Sequence, residues 1–218
     1  MSDAGPFDIV LFDLDGTLTD SAPGILDSLR KAFADLGLPW IDETTARSLL
    51  GPPFYHTLPP LVGADRVAET IAAYRSHYVD DGGMYLTSAY QGIPELLDAL
   101  SARGVPMAVA TSKPEIHARQ ILAHLGLVDH FATIGGDTLD GDRDSKALVV
   151  GEVLRRLGDP DPDCVLMVGD RSHDVLGSAA HRVSCAGVLW GYGTTQELTA
   201  AGALRLVSRP ADLLALTG

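Results

Sequence analysis

The chain has 218 residues, 46% of them apolar, and its 16 Lys and Arg against 29 Asp and Glu give a formal net charge of −13. That length supports one good-sized core, or a core domain with a smaller second one. The acidic balance argues against a nucleic acid polymer or an anionic membrane as partner, because phosphate-backbone binding needs a basic surface. A small phosphorylated metabolite stays open, since a bound divalent cation inverts the local field.

No segment approaches the roughly 18 to 20 uninterrupted apolar residues of a membrane span. Residues 1–6 have neither the basic region nor the apolar stretch of a signal peptide. Cys164 and Cys185 fall in or beside apolar strand runs and read as inert core thiols of a reducing compartment. A cytoplasmic chain is expected, monomer or homodimer.

The apolar run Ile9-Val10-Leu11-Phe12 reads as a buried strand, over 8–12. It breaks at Asp13-Leu14-Asp15-Gly16-Thr17-Leu18-Thr19. Residues two apart in an extended segment project the same way, so Asp13 and Asp15 can share one small space. Two carboxylates that close require a cation, a proton or a positioned lysine. A helix should then start near Ser21, with Ser21 as N-cap and Pro23 in the first turn. Its apolar face is Ile25, Leu26, Leu29, Phe33 and Leu36, and Gly37 and Pro39 stop it. A short helix over 43–50, breaks at Gly51-Pro52-Pro53 and Pro59-Pro60, and a helix over 65–79 follow. Val67, Ile71, Tyr74 and Tyr78 share one face of the last. Residues 20–89 therefore read as a helical cap domain inserted after strand one, with hinges near 19–21 and 87–91. Residues 1–19 and 90–218 form the discontinuous core.

From Gly92 the pattern alternates. Helices are expected over 93–103, 114–125, 146–157, 172–181 and 195–201, with strands over 105–110, 132–134, 165–168, 183–189 and 204–207. A Gly/Asp loop spans 135–144, and a short helix closes the chain. Such alternation predicts an α/β fold, a Rossmann-like doubly wound parallel sheet. Sites in these sheets lie outside the carboxyl ends of the strands, at the topological switch point. Asp13, Thr111 and Asp170 each follow a strand run, so chain order alone brings them together. Asp174 lies about one helical turn beyond Asp170 and can reach the same place.

Four pieces in this order carry a resemblance: Asp13 to Thr19, Thr111-Ser112, Lys146 at a helix start, and Gly169-Asp170-Arg171-Ser172-His173-Asp174. The chain resembles the haloacid dehalogenase superfamily along nearly its whole length, in the phosphoglycolate phosphatase-like branch. The resemblance implies Asp13 as nucleophile, giving an aspartyl-phosphate, and Asp15 as acid and then base. It implies Mg²⁺ on the Asp13 carboxylate, the Asp15 carbonyl and Asp170, with Asp174 direct or through water. Thr111, Ser112 and Lys146 would hold phosphoryl oxygens, aided by backbone N–H groups at a helix N-terminus. Lys113, Gly16 and Thr17 are further substrate-binding candidates. Lys146 to alanine is expected to spare the fold, since a helix start tolerates it.

Asp144-Ser145-Lys146-Ala147 departs from the Gly-Lys-Pro-x-Pro that members often carry, and Thr111-Ser112-Lys113-Pro114 is similar to relatives acting on nucleoside monophosphates or phosphotyrosine. A sugar phosphomutase shares all four motifs. A dehalogenase would lack the need for Asp15, and a phosphonate hydrolase would want a cap lysine other than Lys31. The non-enzymatic alternative is a phosphate-binding regulator. Gly51, Pro52, His56 and Arg47 lie where relatives place specificity residues, against an ordinary turn and helix role. Trp190-Gly191-Tyr192-Gly193 could border the site or form an anchored turn. The seven histidines show no metal-ligand spacing.

Overall fold

A computed structural model describes residues 6–140 and 142–218; residues 1–5, within the segment read for a signal peptide, and 141, in the Gly/Asp loop, lie outside the described residues. The chain runs from β1 (Ile9–Phe12) through β2 (Thr19–Asp20) into α1 (Ala22–Asp35), α2 (Glu43–Ser48), α3 (Phe54–Thr57), α4 (Pro59–Val62) and α5 (Val67–Arg75), and returns through β3 (Ser88–Ala89). It continues as α6 (Ile93–Ala102), β4 (Met107–Pro114), α7 (Glu115–His124), β5 (Thr133–Asp137), α8 (Lys146–Arg156) and β6 (Val165–Gly169). Then come α9 (Ser172–Ala179), β7 (Ser184–Val188), α10 (Thr195–Ala201) and β8 (Arg205–Val207).

Six strands form one parallel sheet in the order β5-β4-β1-β6-β7-β8. The chain leaves β1 toward one edge and restarts at β6 on its other side, which makes β1 the switch point of a doubly wound sheet. Alternate side chains of β1 face opposite layers. Val10 and Phe12 pack with Leu97 of α6 and Leu122 of α7, and Leu11 packs with Val149 and Val153 of α8 and Val175 of α9. Val10, Leu11 and Phe12 are essentially inaccessible, and each such burial stabilises by roughly 1.5–3 kcal/mol. The strand that ends at Asp13 is thus clamped from both sides. Among the described residues, no helix is long and apolar enough to cross a membrane.

Helices α1 to α5 enclose an apolar cluster of their own, with Leu29, Phe33, Leu58, Val67 and Ile71 at its centre. The two chain segments joining them to the sheet are paired: β2 and β3 form an antiparallel ribbon, Thr19 opposite Ala89 and Asp20 opposite Ser88. Periodicity did not reveal two strands this short.

Four local expectations are corrected. Ser21 precedes α1, yet its hydroxyl bonds to Thr19 and Thr87 instead of capping. The Tyr192 hydroxyl accepts from the Ser21 and Ala22 N–H groups, at 2.9 and 3.0 Å. Pro59-Pro60 opens α4 rather than a loop, because a first turn has no N–H to lose. The helix expected over 65–79 is a 3₁₀ turn (Ala64–Arg66), α5 and a π-helical turn (Ser76–Asp80). Finally, β4 runs on to Pro114, which pairs with Asp137, so α7 starts at Glu115. Pro114 disfavours a helical Lys113, so Ser112 and Lys113 are not in a helical first turn.

Candidate active site

Asp13 leaves β1 with its N–H on the Val168 carbonyl at 2.9 Å. Its carboxylate Oδ1 accepts from Lys146 Nζ at 2.6 Å. The same ammonium donates to the Ala110 carbonyl at 2.8 Å and lies 2.7 Å from Asp174 Oδ1. Lys146 opens α8, capped by Ser145, whose hydroxyl accepts from the Leu148 N–H. Its stem passes α9 at Gly177, where a Cβ would come within 2.7 Å of Lys146 Cγ. Burial pulls the lysine's proton affinity down, but Asp13 and Asp174 outweigh that and keep it charged.

Asp170 follows β6 directly and is fully buried. Its Oδ2 accepts the Tyr192 N–H at 2.6 Å, and Thr17 Oγ1 lies 3.5 Å from Oδ1. The surrounding turn leaves no room for side chains. A Cβ on Gly191 would fall 2.4 Å from Asp170 Cβ, and Gly16, at φ +90°, lies equally close against the carboxylate. Asp174, in the first turn of α9, accepts the Arg171 N–H on Oδ2 at 3.0 Å. It therefore acts at the helix N-terminus and faces Lys146 at once.

Carboxylate oxygens of Asp13, Asp170 and Asp174 lie within 4.8 Å of one another, the one such donor cluster among the described residues, and it contains no histidine. Burial pushes the Asp13 carboxyl up to about 7; Lys146 pulls against that rise and Asp174 adds to it. Burial, then Asp174 and Asp13, hold Asp170 well above the usual carboxylate range. Lys146 pairs with two of these three buried carboxylates and leaves Asp170 without a cation, and such hard oxygen donors fit a divalent cation such as Mg²⁺.

A cavity of about 240 Å³ opens above Asp13, Asp15 and Lys146, and Thr111, Ser112 and Lys113 of β4 line it as well. Thr111 is buried, and its hydroxyl accepts the Lys113 N–H at 3.2 Å. Lys113 does not face Asp13: its ammonium lies 3.0 Å from Asp15 Oδ2 and 2.7 Å from the Tyr78 hydroxyl. Gly16 and Thr17 are turned to Asp170 and stand outside the lining. Gly51 and Pro52 are in the lining. Arg47 is exposed and paired with Glu43, and His56 is exposed, both away from the cavity.

The helical side of the cavity is largely apolar and includes Ile25, Phe54, Ile71, Tyr74 and Tyr78. Sequence reading placed the last three on a buried face without showing that they front a cavity. It also passed over Arg171 as a side chain in its own right. Arg171 donates to the Leu50 carbonyl beside Gly51 and pairs with Glu197 at 2.9 Å, joining α9 to the turn after α2. The one available signal was its place inside the Gly169 to Asp174 stretch.

A family profile described as "Haloacid dehalogenase-like hydrolase" matches residues 10–188. The chain is 46% identical over 185 residues to a tyrosine-protein kinase, PtkA, of Mycobacterium tuberculosis, covering 85% of this chain and 63% of that protein. The solved PtkA structure superposes with a TM-score of 0.83 at 40% identity, over 97% of this chain and 98% of that one. A 5'-nucleotidase of Pseudomonas aeruginosa is 41% identical, over 88% of this chain and 86% of its own. A phosphoglycolate phosphatase of Aquifex aeolicus is 33% identical over 95% of both chains, so the expected likeness to that branch holds along nearly the whole length. With residues 10–188 matched and Asp13, Lys146, Asp170 and Asp174 converging at one end of the sheet, the chain belongs to the haloacid dehalogenase-like hydrolase family.

Proposed function

We propose that the chain is a Mg²⁺-dependent phosphatase that hydrolyses a small phosphate monoester through an aspartyl-phosphate on Asp13. The observation that carries this reading is the Asp13–Lys146–Asp174 constellation, at 2.6 and 2.7 Å, on the floor of a cavity large enough for a small metabolite. Asp13 and Asp170, with the Asp15 carbonyl, would hold the metal, which when bound offsets the negative charge of carboxylates and phosphate. Asp174 accepts the Arg171 N–H on Oδ2, and its Oδ1 lies 2.7 Å from the Lys146 ammonium, so it is assigned to orienting the lysine.

In the first step Asp13 bonds to phosphorus, the ester P–O bond breaks, and Asp15 protonates the departing oxygen. In the second, Asp15 takes a proton from water, the water oxygen bonds to phosphorus, and the bond to Asp13 breaks, releasing phosphate. Lys146 keeps Asp13 aligned and, with the Thr111 and Ser112 segment, meets charge on the transferring group. Residues 20–89 serve as the cap domain and residues 1–19 with 90–218 as the core.

The aromatic wall supports a second reading of the substrate. Tyr74 stacks on Tyr78 at 5.1 Å and meets Phe54 edge-on at 4.8 Å. Such a surface suits a flat leaving group better than glycolate, and the P. aeruginosa 5'-nucleotidase is the more similar of the two phosphomonoesterase relatives named above. The activity of the kinase relative is not carried over, because the chain spans 63% of that protein.

A phosphate-release panel with Mg²⁺, holding phosphoglycolate, nucleoside monophosphates, sugar phosphates and phosphotyrosine, tests both readings. Asp15→Asn should let an acyl phosphate add one phosphoryl group to the protein while slowing its loss by ~10² to 10⁴. Intact-protein mass spectrometry reads that adduct, which Asp13→Asn should abolish. An adduct that persists in the double variant removes Asp13 as the nucleophile.

A further inference from the structure

Lys113 is buried, and its ammonium is committed to groups from two different parts of the chain. On the sheet side it lies 3.0 Å from Asp15 Oδ2. On the helical side it donates to the Tyr78 hydroxyl at 2.7 Å and sits 4.7 Å from the centroid of the same ring. Its backbone is held as well, by the bond to Thr111 Oγ1. An ammonium has three N–H donors, and two are taken before any substrate arrives. Asp15 Oδ1, by contrast, is buried and has no partner.

Tyr78 belongs to the π-helical turn Ser76–Asp80, which follows α5. Such turns shift the side chains after them relative to a continuous α-helix. Here Tyr78 is buried beneath Lys113 and backed by Tyr74. The chain Tyr74–Tyr78–Lys113–Asp15 therefore runs unbroken from the wall of the helical side to the carboxylate beside the nucleophile.

We propose that Lys113 and Tyr78 are positioning residues for Asp15: the phenol holds the ammonium, and the ammonium holds Oδ2, so that Oδ1 is presented for proton transfer only when the helical segment is seated on the sheet. The inference rests on the acid–base reading of Asp15 given above. It makes Lys113 a group that acts through Asp15 and removes it from the phosphate-binding set. A cap that swings away takes Tyr78 with it, and Asp15 loses its fixed geometry along with the exclusion of water.

The test uses Lys113→Met, which keeps the apolar stem, and Tyr78→Phe, which keeps the ring and its stack. Single-turnover phosphorylation of Asp13 is followed with an alkyl phosphate, whose leaving oxygen needs a proton, and with an acyl phosphate, which hardly does. Lys113→Met should slow the alkyl reaction about 10²-fold, the scale of a misplaced catalytic group, and the acyl reaction less than about 3-fold. Tyr78→Phe should show the same split at about 10-fold, the scale of one hydrogen bond to a charged group. Equal losses with both substrates, or a change in KM alone, would overturn the proposal and return Lys113 to substrate binding. Hydrogen exchange across residues 74–80 reads the link without turnover: Lys113→Met and Asp15→Asn should each raise it about 10-fold. Unchanged protection in both overturns the coupling. A wild-type chain that turns over neither ester refutes the phosphatase reading, while the exchange measurement still decides whether the three side chains act as one unit.

Discussion

The floor and the roof of the cavity are built by different means. The floor is charged, and its residues project from the ends of clamped strands and the first turns of helices: Asp13 after β1, Lys146 on α8, Asp170 after β6 and Asp174 on α9. The roof is apolar and aromatic, and it hangs on a smaller cluster around Leu29, Phe33 and Leu58. It meets the rest of the molecule through polar contacts, among them Lys113 with Tyr78 and Arg171 with the Leu50 carbonyl, and through an apolar cluster in which Ile25, Leu50, Tyr78 and Met84 pack with Ile121 of α7. The division separates chemistry from selection. Rigid elements hold reacting groups to tolerances that loops do not reach, while a roof built on an apolar cluster of its own can change its lining without moving the floor.

Breaking the floor should have the largest effect. Lys146→Met should lower kcat on the order of 10² to 10³-fold, as for losing a preorganised charge. It should also cost stability, about 3–5 kcal/mol, because Asp13 and Asp174 remain buried without their cation. Steady-state kinetics and denaturant unfolding check the two halves. A stable variant at full activity would take Lys146 out of the site. Tolerance of alanine at a helix start, expected from position alone, ignored what the far end of the side chain touches.

Altering the roof behind Tyr78, with the Tyr78–Lys113 bond left intact, should change preference more than rate. Tyr74→Leu keeps apolar volume but loses the stack on Tyr78 and the edge contact with Phe54. An aromatic pair contributes about 0.5–1.5 kcal/mol beyond its burial. KM for nucleoside monophosphates should thus rise about 3- to 10-fold, with phosphoglycolate changed less than about 2-fold. Equal changes for both substrates would mean that the wall does not read the leaving group.

The smallest effect concerns how the roof holds itself together. His77 bridges Asp35 at the end of α1 and Asp81, at 2.6 and 2.7 Å. Hydrogen bonds to Asp35 and then Asp81 raise its pKa above the ordinary histidine value. The folded state therefore binds the proton more tightly than the unfolded chain. The contribution is fully present below the unfolded pKa of about 6.5 and fades as pH rises through the higher folded value. Relative to His77→Gln, the wild type should gain about 1–3 °C in Tm near pH 6, and nothing near pH 9. A difference independent of pH would assign the residue to packing.

Most of the floor was legible because strand runs, helix starts and local motifs coincide at one end of a parallel sheet. Asp13, Thr111 and Asp170 needed no knowledge of distant contacts beyond strand order, and Asp174 one helical turn more, whereas Lys146 was singled out by the family resemblance. Lys113 was not legible. Its position after Thr111-Ser112 fits a phosphate ligand equally well, and only the fold reveals that Asp15 and Tyr78 have claimed it. The periodicity of Val67, Ile71, Tyr74 and Tyr78 told that a face is buried, not what it is buried against. The extra residue of the π-helical turn leaves no trace in a 3.6-residue pattern. Ser21 failed as a cap for a similar reason: Tyr192, 171 residues away, supplies the oxygen that a local rule assigned to the serine.

The β2–β3 ribbon brings the two ends of the helical segment side by side. Its entry and exit strands are hydrogen-bonded neighbours, Asp20 opposite Ser88, so their Cα atoms lie only about 4.5–5.5 Å apart. A two-residue turn could join those positions and leave every strand of the main sheet in register. A graft of another chain's segment onto the same two ends meets the same geometric requirement.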